Sequence, residues 1–301
     1  MGSVYAGLLA EAGHEVWAVD TNADHMAAIR SGGLRVEGAS GDRTVALAGA
    51  VGSPAEIGEV MDVVILATKV GHVREAAEGL APILGPNTPV ISIQNGLGGP
   101  QRAAEVLGED RVVIGVVGGF GASITAPGHA HHNGMQLVRL GEYAGAGISE
   151  RVNTLIDLWE SGGFTVAGYD DVHQLVWEKL ICNVAFSGPC TVAEMAVGEL
   201  LADEHASAVS AQCATEAFEI AKARGVHLGF DDPVAYTREF GSKMPDAIPS
   251  MLQDYQAGRR CEIDAINGAI VETATELGRA APANTVVTSL VRVKEKAAGL
   301  G

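Results

Sequence analysis

The chain has 301 residues, of which 47% are hydrophobic and 19% charged, and its formal net charge is −17. This length and composition are typical of two domains with a sizeable buried core. The negative charge would repel a phosphate backbone, so nucleic acid is not an expected partner. No apolar run reaches the roughly 18 residues of a membrane span, and no basic-then-apolar leader opens the chain. The sequence therefore predicts a soluble, cytoplasmic protein without a membrane partner.

Cysteine and histidine spacing does not predict a metal site. The four cysteines lie far apart, without paired ligand spacing, and are expected to be buried or free thiols. His129, His131 and His132 stand in an expected loop between two strand-like runs. Adjacent histidines would point to opposite sides of a strand, and no acid lies nearby at ligand spacing. We therefore expect no metal ligands.

Residues 1–169 alternate helical and strand-like patterns, as α/β sheets with short connections do. The clearest strand is 62–68, which is apolar on both faces as parallel sheets require. Helices are expected over 2–12, 23–30, 72–84 and 149–160, and strands over 14–20, 62–68, 89–94, 112–121, 136–140 and 164–167, with two short strand-like runs near Leu34 and Thr44.

Polar residues follow three of these strands. Asp20, Lys69 and Asn95 each occupy a carboxyl end, where open α/β sheets bind their ligands. Each could instead be an ordinary loop residue. Asp20 has the sharper rationale, because an acid after the second strand of a dinucleotide fold accepts hydrogen bonds from a ribose diol and repels a 2′-phosphate.

The first residues suggest part of a pyrophosphate turn. Gly2 corresponds to the last glycine of G-x-G-x-x-G, and the helix that follows it fits that motif, but the strand and the first two glycines of the motif are not in this sequence. Dinucleotide binding by this chain is therefore expected to be weak. The alternative is that Gly2 simply begins an ordinary helix.

From residue 170 the pattern is helical only, so residues 170–301 are predicted to form a second domain. In its first helix Lys179, Asn183 and Ser187 share one face and would line a cleft. The helix should end by Gly188-Pro189. The alternative is a solvated polar stripe on an amphipathic helix.

Further helices are expected in this second domain. One of them should begin with a capping box at Ser250, and another should open near Arg259 and end near Gly278. The remaining helices are expected over 191–202, over 204–224 and from Pro282 onward.

Four motifs in this order carry a resemblance: Gln94-Asn95-Gly96, Lys179-(x3)-Asn183, Ser250 to Asp254, and Glu262-Ile263-Asp264 followed by Asn267-Gly268. The chain resembles the ketopantoate reductase family over essentially its whole length. The resemblance implies a Rossmann-type N-terminal domain followed by an all-helical domain. It also implies reduction of a 2-keto acid, such as 2-dehydropantoate, by NAD(P)H, and a homodimer is a candidate assembly.

The resemblance also assigns roles to individual residues. Lys179 would be the general acid and Glu262 would hold the lysine and the substrate hydroxyl. Asn183, Ser187 and Ser250 would bind the substrate, while Asn95 would bridge substrate and cofactor. The cofactor residues would be Gly2, Asp20, Lys69, Asn95, Ala122 and Glu262.

Two departures from the family pattern bear on specificity. Ser187 replaces an asparagine that many members carry, which leaves substrate identity open between 2-dehydropantoate and a related branched 2-keto acid. Thr21 and Asn22 stand where NADP-using members carry an arginine, so NAD is favoured over NADP. The alternative function is a cofactor-deficient homologue that acts as a ligand-binding or interaction module.

Overall fold

The computed structural model describes residues 1–119, 121–134, 137–145 and 147–300. Two predicted strands include Phe120 and Gln136, which lie outside the described residues. The helices are α1 (Gly2–Glu11), α2 (Ala23–Gly32), α3 (Val73–Glu78), α4 (Gly99–Leu107), α5 (Glu150–Ser161), α6 (Val172–Ala193), α7 (Val197–Ala202), α8 (Glu204–Ala223), α9 (Pro233–Ser242), α10 (Ser250–Gln256), α11 (Asn267–Glu276) and α12 (Pro282–Ala297). The strands are β1 (Trp17–Val19), β2 (Leu34–Gly38), β3 (Arg43–Val45), β4 (Gly49–Val51), β5 (Val64–Leu66), β6 (Val90–Ser92), β7 (Val112–Gly118), β8 (Gly121–Ala126), β9 (His129–Gly134), β10 (Leu137–Glu142) and β11 (Thr165–Gly168).

The chain divides into two compact units. The first comprises Met1–Gln94 and Gly99–Val172, and the second comprises Asn95–Gly98 and the residues from His173 onward. The sequence predicted a single boundary between residues 169 and 170. In the structure the first unit ends at Val172, and the short Asn95–Gly98 segment belongs to the second unit.

The first unit is the predicted α/β fold. Its largest sheet has the order β11-β10-β7-β6-β5, with β5, β6 and β7 parallel to one another and β10 antiparallel to β7. In the described residues β1 pairs with β4, and β2, β3, β8 and β9 form a four-stranded sheet. Because β5, β6 and β7 are parallel, their carboxyl ends lie at one edge of the large sheet.

Apolar side chains on both faces hold this sheet. On one face Tyr5 of α1, Trp159 of α5 and Phe164 pack edge to face, with ring centroids 4.9 Å apart for Tyr5 and Trp159 and 4.8 Å apart for Trp159 and Phe164. On the other face Val73 and Ala103 bury α3 and α4 against Leu66 and neighbouring strand residues. The apolar run 63–67 within this predicted strand is explained by packing on both faces.

The second unit is built from α6 to α12, which confirms the all-helical prediction. The apolar side of α6 supplies Leu180, Ile181 and Val184 to its core, all 1% exposed or less. They pack with Leu200 of α7 and Ile270 of α11. Burial of this side leaves the Lys179 face of α6 available for polar contacts.

The predicted end of α6 was wrong, because the helix runs through Gly188 and Pro189 to Ala193. Proline removes one backbone donor and normally breaks a helix. Here both residues are buried, and the Thr191 hydroxyl donates to the Ser187 carbonyl at 2.7 Å. The predicted helix 191–202 is correspondingly split, with Glu194 in the left-handed region (φ 57°) between α6 and α7.

The predicted helix 72–84 is also interrupted. Only α3 is α-helical, and 3-10 turns over Val70–His72 and Ala81–Ile83 flank it. Pro82 explains the break, because it cannot donate to the Glu78 carbonyl and it disfavours helical geometry in the preceding residue.

The expected histidine loop is a β-hairpin. His129, His131 and His132 lie on β9, which pairs with β8 and with β2. His129 and His131 lie beside Glu37 of β2, with N–O distances of 3.2 and 3.6 Å. Because His131 and His132 are adjacent on this strand, their side chains point to opposite faces of the sheet. Gly128 (φ 73°) lies in the turn between β8 and β9.

Two boundaries in the second unit also differ from the prediction. Ser250 is the first residue of α10 and Pro249 occupies the N-cap position, so the predicted capping box is absent there. The helix expected from Arg259 begins only at Asn267, after a 3-10 turn over Ile263–Ala265.

Candidate active site

The second unit brings Lys179 and Asn95 into contact. Lys179 lies half-buried on α6, and its Nζ donates to Asn95 Oδ1 at 2.7 Å. Since Oδ1 accepts this bond, the Asn95 amide keeps its Nδ2 protons for another acceptor. A cation and an amide donor are therefore side by side, as binding of a polar carbonyl compound requires.

The segment that carries Asn95 rests on the turn that follows Glu262. Leu97 N donates to the Ala265 carbonyl at 2.9 Å. Gly96 has φ +81°, and a Cβ there would lie 2.1 Å from the same carbonyl oxygen, so only glycine permits this approach. Glu262, half-buried, directly precedes the turn. The loop thus connects the position of Asn95 to that of Glu262.

The other predicted substrate residues lie on α6 and α10. Asn183 is half-buried and Ser187 is 5% exposed, and their spacing places both on the Lys179 face of α6. Ser250 is exposed in the first turn of α10. The predicted polar stripe of α6 is therefore largely withdrawn from solvent.

In the first unit, Asp20 directly follows β1 and is exposed. Its Oδ1 accepts from Asn22 N at 2.8 Å, while the Asn22 side chain caps α2 by accepting from His25 N at 3.0 Å. Arg30 donates to the Ala50 carbonyl at 2.6 Å. The Asp20 carboxylate therefore accepts a backbone hydrogen bond, and the side-chain oxygen of Asn22 is engaged in capping α2.

The start of α1 and Lys69 both lie near the carboxyl end of β5. A Cβ on Gly2 would lie 3.3 Å from Ala67 Cβ, so the start of α1 lies against the residue after β5. Burial, and then the charge of Lys69, lower the pKa of the amino group of Met1. A helix N-terminus and a lysine are thus close together, which is an arrangement that suits phosphate.

These residues of the first unit fit an adenine dinucleotide. Asp20 offers an exposed carboxylate for a ribose diol, and Lys69 with the start of α1 offers positive potential for the pyrophosphate. Ala122 lies on β8, which is the edge strand of the four-stranded sheet, beside a bulge between Gly121 and Ala122. Its predicted role in binding the cofactor stays a prediction.

A buried contact between His25 and Ser3 was not predicted from the sequence. His25 is 4% exposed, its Nδ1 accepts from Gly128 N at 2.9 Å, and its Nε2 lies 3.2 Å from Ser3 Oγ. Because Nδ1 is an acceptor, Nε2 carries the proton and donates to Ser3. Burial lowers the pKa of His25, which favours this neutral form, although the charge of Asp20 opposes the shift. The sequence did carry one indication that His25 is buried, because His25 lies four residues before the buried Ile29 and therefore on the same face of α2.

Neither membrane insertion nor metal binding has structural support in the described residues. None of their helices is both long and apolar enough to cross a bilayer. Across the same residues there is no group of three or more His, Cys, Asp or Glu side chains placed to hold a metal ion. The four cysteines are buried and form no disulfide within the described part of the chain, and burial raises the pKa of Cys182, Cys190 and Cys213 to about 12.

The fold and these residues define the class of protein, which is an NAD(P)-dependent oxidoreductase with a Rossmann-type first unit. The chain belongs to the ketopantoate reductase family. The family model described as ketopantoate reductase PanE/ApbA matches residues 1–145, and the one for its C-terminal region matches residues 171–295.

Individual relatives cover nearly the whole chain. A 2-dehydropantoate 2-reductase of Halobacterium salinarum is 28% identical over 296 residues, covering 98% of this chain and 96% of that protein. The crystal structure of a PanE/ApbA family ketopantoate reductase from Ralstonia eutropha JMP134 is 31% identical, with a TM-score of 0.89 and coverage of 98% of this chain and 95% of that one. A D-mandelate dehydrogenase solved with NADH is 25% identical, with a TM-score of 0.88 and coverage of 100% and 97%.

Proposed function

We propose that the protein reduces a 2-keto acid, either 2-dehydropantoate or a related branched 2-keto acid, to the 2-hydroxy acid, with Lys179 as the general acid. The observation that carries the proposal is the 2.7 Å hydrogen bond from Lys179 Nζ to Asn95 Oδ1. It puts an ammonium group beside an amide whose remaining protons are available for a substrate oxygen. The names of the relatives support this substrate class.

The chemistry needs a hydride and a proton. The reduced nicotinamide, when bound, supplies the hydride to the carbonyl carbon. Lys179 Nζ gives a proton to the carbonyl oxygen, which becomes the product hydroxyl, and the lysine regains a proton from water. Its positive charge also stabilises the negative charge that develops on that oxygen before the proton arrives.

The surrounding residues bind and orient the substrate in this proposal. Asn183 and Ser187 lie on the lysine face of α6 and offer neutral hydrogen-bonding groups, and Ser250 adds a hydroxyl. Glu262 holds the lysine and the substrate hydroxyl, and Asn95 bridges substrate and cofactor. The serine at position 187 is shorter than an asparagine and leaves more room, which favours testing substrates bulkier than 2-dehydropantoate.

We further propose NADH as the preferred cofactor. Asp20 would bring a negative charge to the place where NADP carries its 2′-phosphate. Arg30 and Arg43 are engaged elsewhere, with the Ala50 carbonyl and with Glu11 at 2.9 Å, which supports the absence of an arginine clamp at Asp20. The NADH found in the D-mandelate dehydrogenase structure is consistent with this choice.

The test is a substrate panel assayed by loss of nicotinamide absorbance. We expect oxidation of NADH with 2-dehydropantoate or with a bulkier branched 2-keto acid, and little turnover with an aldehyde that lacks the carboxylate. If no 2-keto acid is reduced with either cofactor at concentrations that saturate the protein in a binding titration, while the protein is folded and monodisperse, the proposed reaction is wrong.

A further inference from the structure

Helix α6 carries the proposed catalytic lysine, but it contains a proline in its last two turns. Pro189 has no N–H for the Ala185 carbonyl, and proline in a helix interior costs about 3 kcal/mol or more and favours a kink. The segment between Lys179 and Pro189 therefore depends on contacts from other helices for its position.

Asn267 of α11 provides such a contact. It is fully buried at 0% exposure, and its Nδ2 donates to the Val184 carbonyl of α6 at 3.0 Å and to Asn284 Oδ1 at 2.9 Å. Gly188 permits the approach, because a Cβ at this position would lie 2.6 Å from Asn267 Oδ1. The side-chain amide of Asn267 thus donates two hydrogen bonds. One of them goes to the backbone of α6 at Val184, the residue directly after Asn183.

The hydrogen-bond chain continues to a buried carboxylate. Asn284 Nδ2 donates to Glu216 Oε2 at 2.9 Å and to the Cys213 carbonyl at 3.1 Å. Glu216 is 7% exposed and also accepts from the backbone N–H groups of Ala283 and Asn284 at 2.9 and 3.0 Å. These are first-turn donors of α12, so the helix N-terminus stabilises the charge. Four helices, α6, α8, α11 and α12, are joined by this network.

We propose that Asn267 is a positioning residue that fixes α6, so that Lys179 keeps its place beside Asn95 while Asn183 and Ser187 keep theirs on the same face of the helix. This proposal rests on the proposed function for its catalytic meaning. A buried network with its donors engaged favours one arrangement of the helices over near alternatives. Displacement of reacting groups by about 1 Å can reduce a rate about a hundredfold, so a small shift of α6 is enough to matter.

The test compares Asn267→Ala with Thr273→Ala. Thr273 is a matched control, because it lies on the same helix, is 6% exposed, and its hydroxyl bonds only within α11, to the Ala269 carbonyl at 2.8 Å. We expect Asn267→Ala to lower kcat/KM for the 2-keto acid by about ten- to a hundredfold, mainly through kcat, with the dissociation constant for NADH within about twofold of the unmodified protein. Thr273→Ala should change kcat/KM by less than about twofold.

Asn267→Ser is the milder variant if the alanine variant does not fold. Its hydroxyl is one bond shorter than the amide and is expected to give an intermediate loss of kcat. Equal losses for the position 267 and position 273 variants would assign Asn267 a merely structural role and overturn the proposal.

Amide hydrogen exchange separates this proposal from the proposed function. Exchange in residues 180–188 should be about tenfold faster in the Asn267 variant than in the Thr273 variant. If the unmodified protein reduces no 2-keto acid, the proposed function fails, and this comparison still decides whether Asn267 holds α6. Unchanged exchange in that segment would overturn the positioning role even in an active enzyme.

Discussion

Lys179 is the residue on which the proposed chemistry depends most. Its Nζ lies 2.7 Å from Asn95 Oδ1, beside the amide that would bind the substrate oxygen in the proposed reaction. We expect Lys179→Ala to lower kcat by about two to four orders of magnitude, the usual contribution of a general acid. Lys243→Ala is the control, since Lys243 belongs to the same unit and lies exposed beside Glu239. A loss below about tenfold in kcat would remove Lys179 from the role of proton donor.

A second prediction for a single residue concerns Asp20, on which the expected preference for NADH over NADPH depends. The change Asp20→Ala removes the carboxylate charge, so it should shift the ratio of kcat/KM values for NADH and NADPH toward NADPH. Asp24→Ala provides the control, because Asp24 is an exposed acid in the first turn of α2, four residues away. The prediction is wrong if the unmodified protein already favours NADPH by about tenfold or more, or if both variants shift the ratio equally.

At the scale of elements, the loop from Asn95 to Gly98 depends on Gly96 for its close approach to the Ala265 carbonyl. A side chain on Gly96 would meet the Ala265 carbonyl at 2.1 Å in addition to the strain of φ +81°. We expect Gly96→Ala to separate the loop from the Ile263–Ala265 turn and lower kcat/KM by about a hundredfold. Gly108→Ala isolates the backbone effect, since Gly108 has φ +90° with no atom within 4 Å of an added Cβ. Equal activity of the two variants would contradict this account.

The elements that could be predicted are those with a local cause. Strand β5 has a continuous apolar run, and α8 ends where Gly225 adopts φ +81°, as glycine after a helix commonly does. The course of α6 through Pro189 could not be predicted, because it depends on buried contacts with helices far away in the sequence. The hairpin of β8 and β9 was hidden for the same reason, since its pairing with β2 depends on residues about 90 positions earlier.

The same distinction applies to the candidate site. Lys179 and Asn183 could be found from their four-residue spacing on one helix face, and Asp20 from its place after a strand. His25 and Asn267 could not be assigned a contact from sequence, because their partners Ser3, Gly128 and Val184 come from other elements. Polar residues that bond across the fold look like ordinary helix residues in a linear sequence.

At the scale of the whole molecule, the charge of −17 opposes compactness. Exposed carboxylates repel one another in the folded state, and salt screens this repulsion over a Debye length of about 10 Å at 0.1 M. We therefore expect Tm to rise between 10 and about 300 mM sodium chloride. Thermal unfolding followed by circular dichroism measures it, with an equal osmolarity of sucrose as the control for non-ionic effects. A fall in Tm with salt would mean that specific ion pairs outweigh the general repulsion.

The assignment of Asn95–Gly98 to the second unit means that neither unit is a continuous piece of chain. The polypeptide passes between the units after Gln94, after Gly98 and after Val172. A gene fragment that encodes only the residues from His173 onward would therefore lack Asn95, whose Oδ1 accepts the hydrogen bond from Lys179 Nζ, and Leu97, whose N–H donates to the Ala265 carbonyl. Recombination that exchanged the helical half between two homologues would have to transfer this four-residue insert with it. The Asn95–Gly98 segment thus belongs to the helical unit by its contacts, although a cut after Val172 would leave it behind.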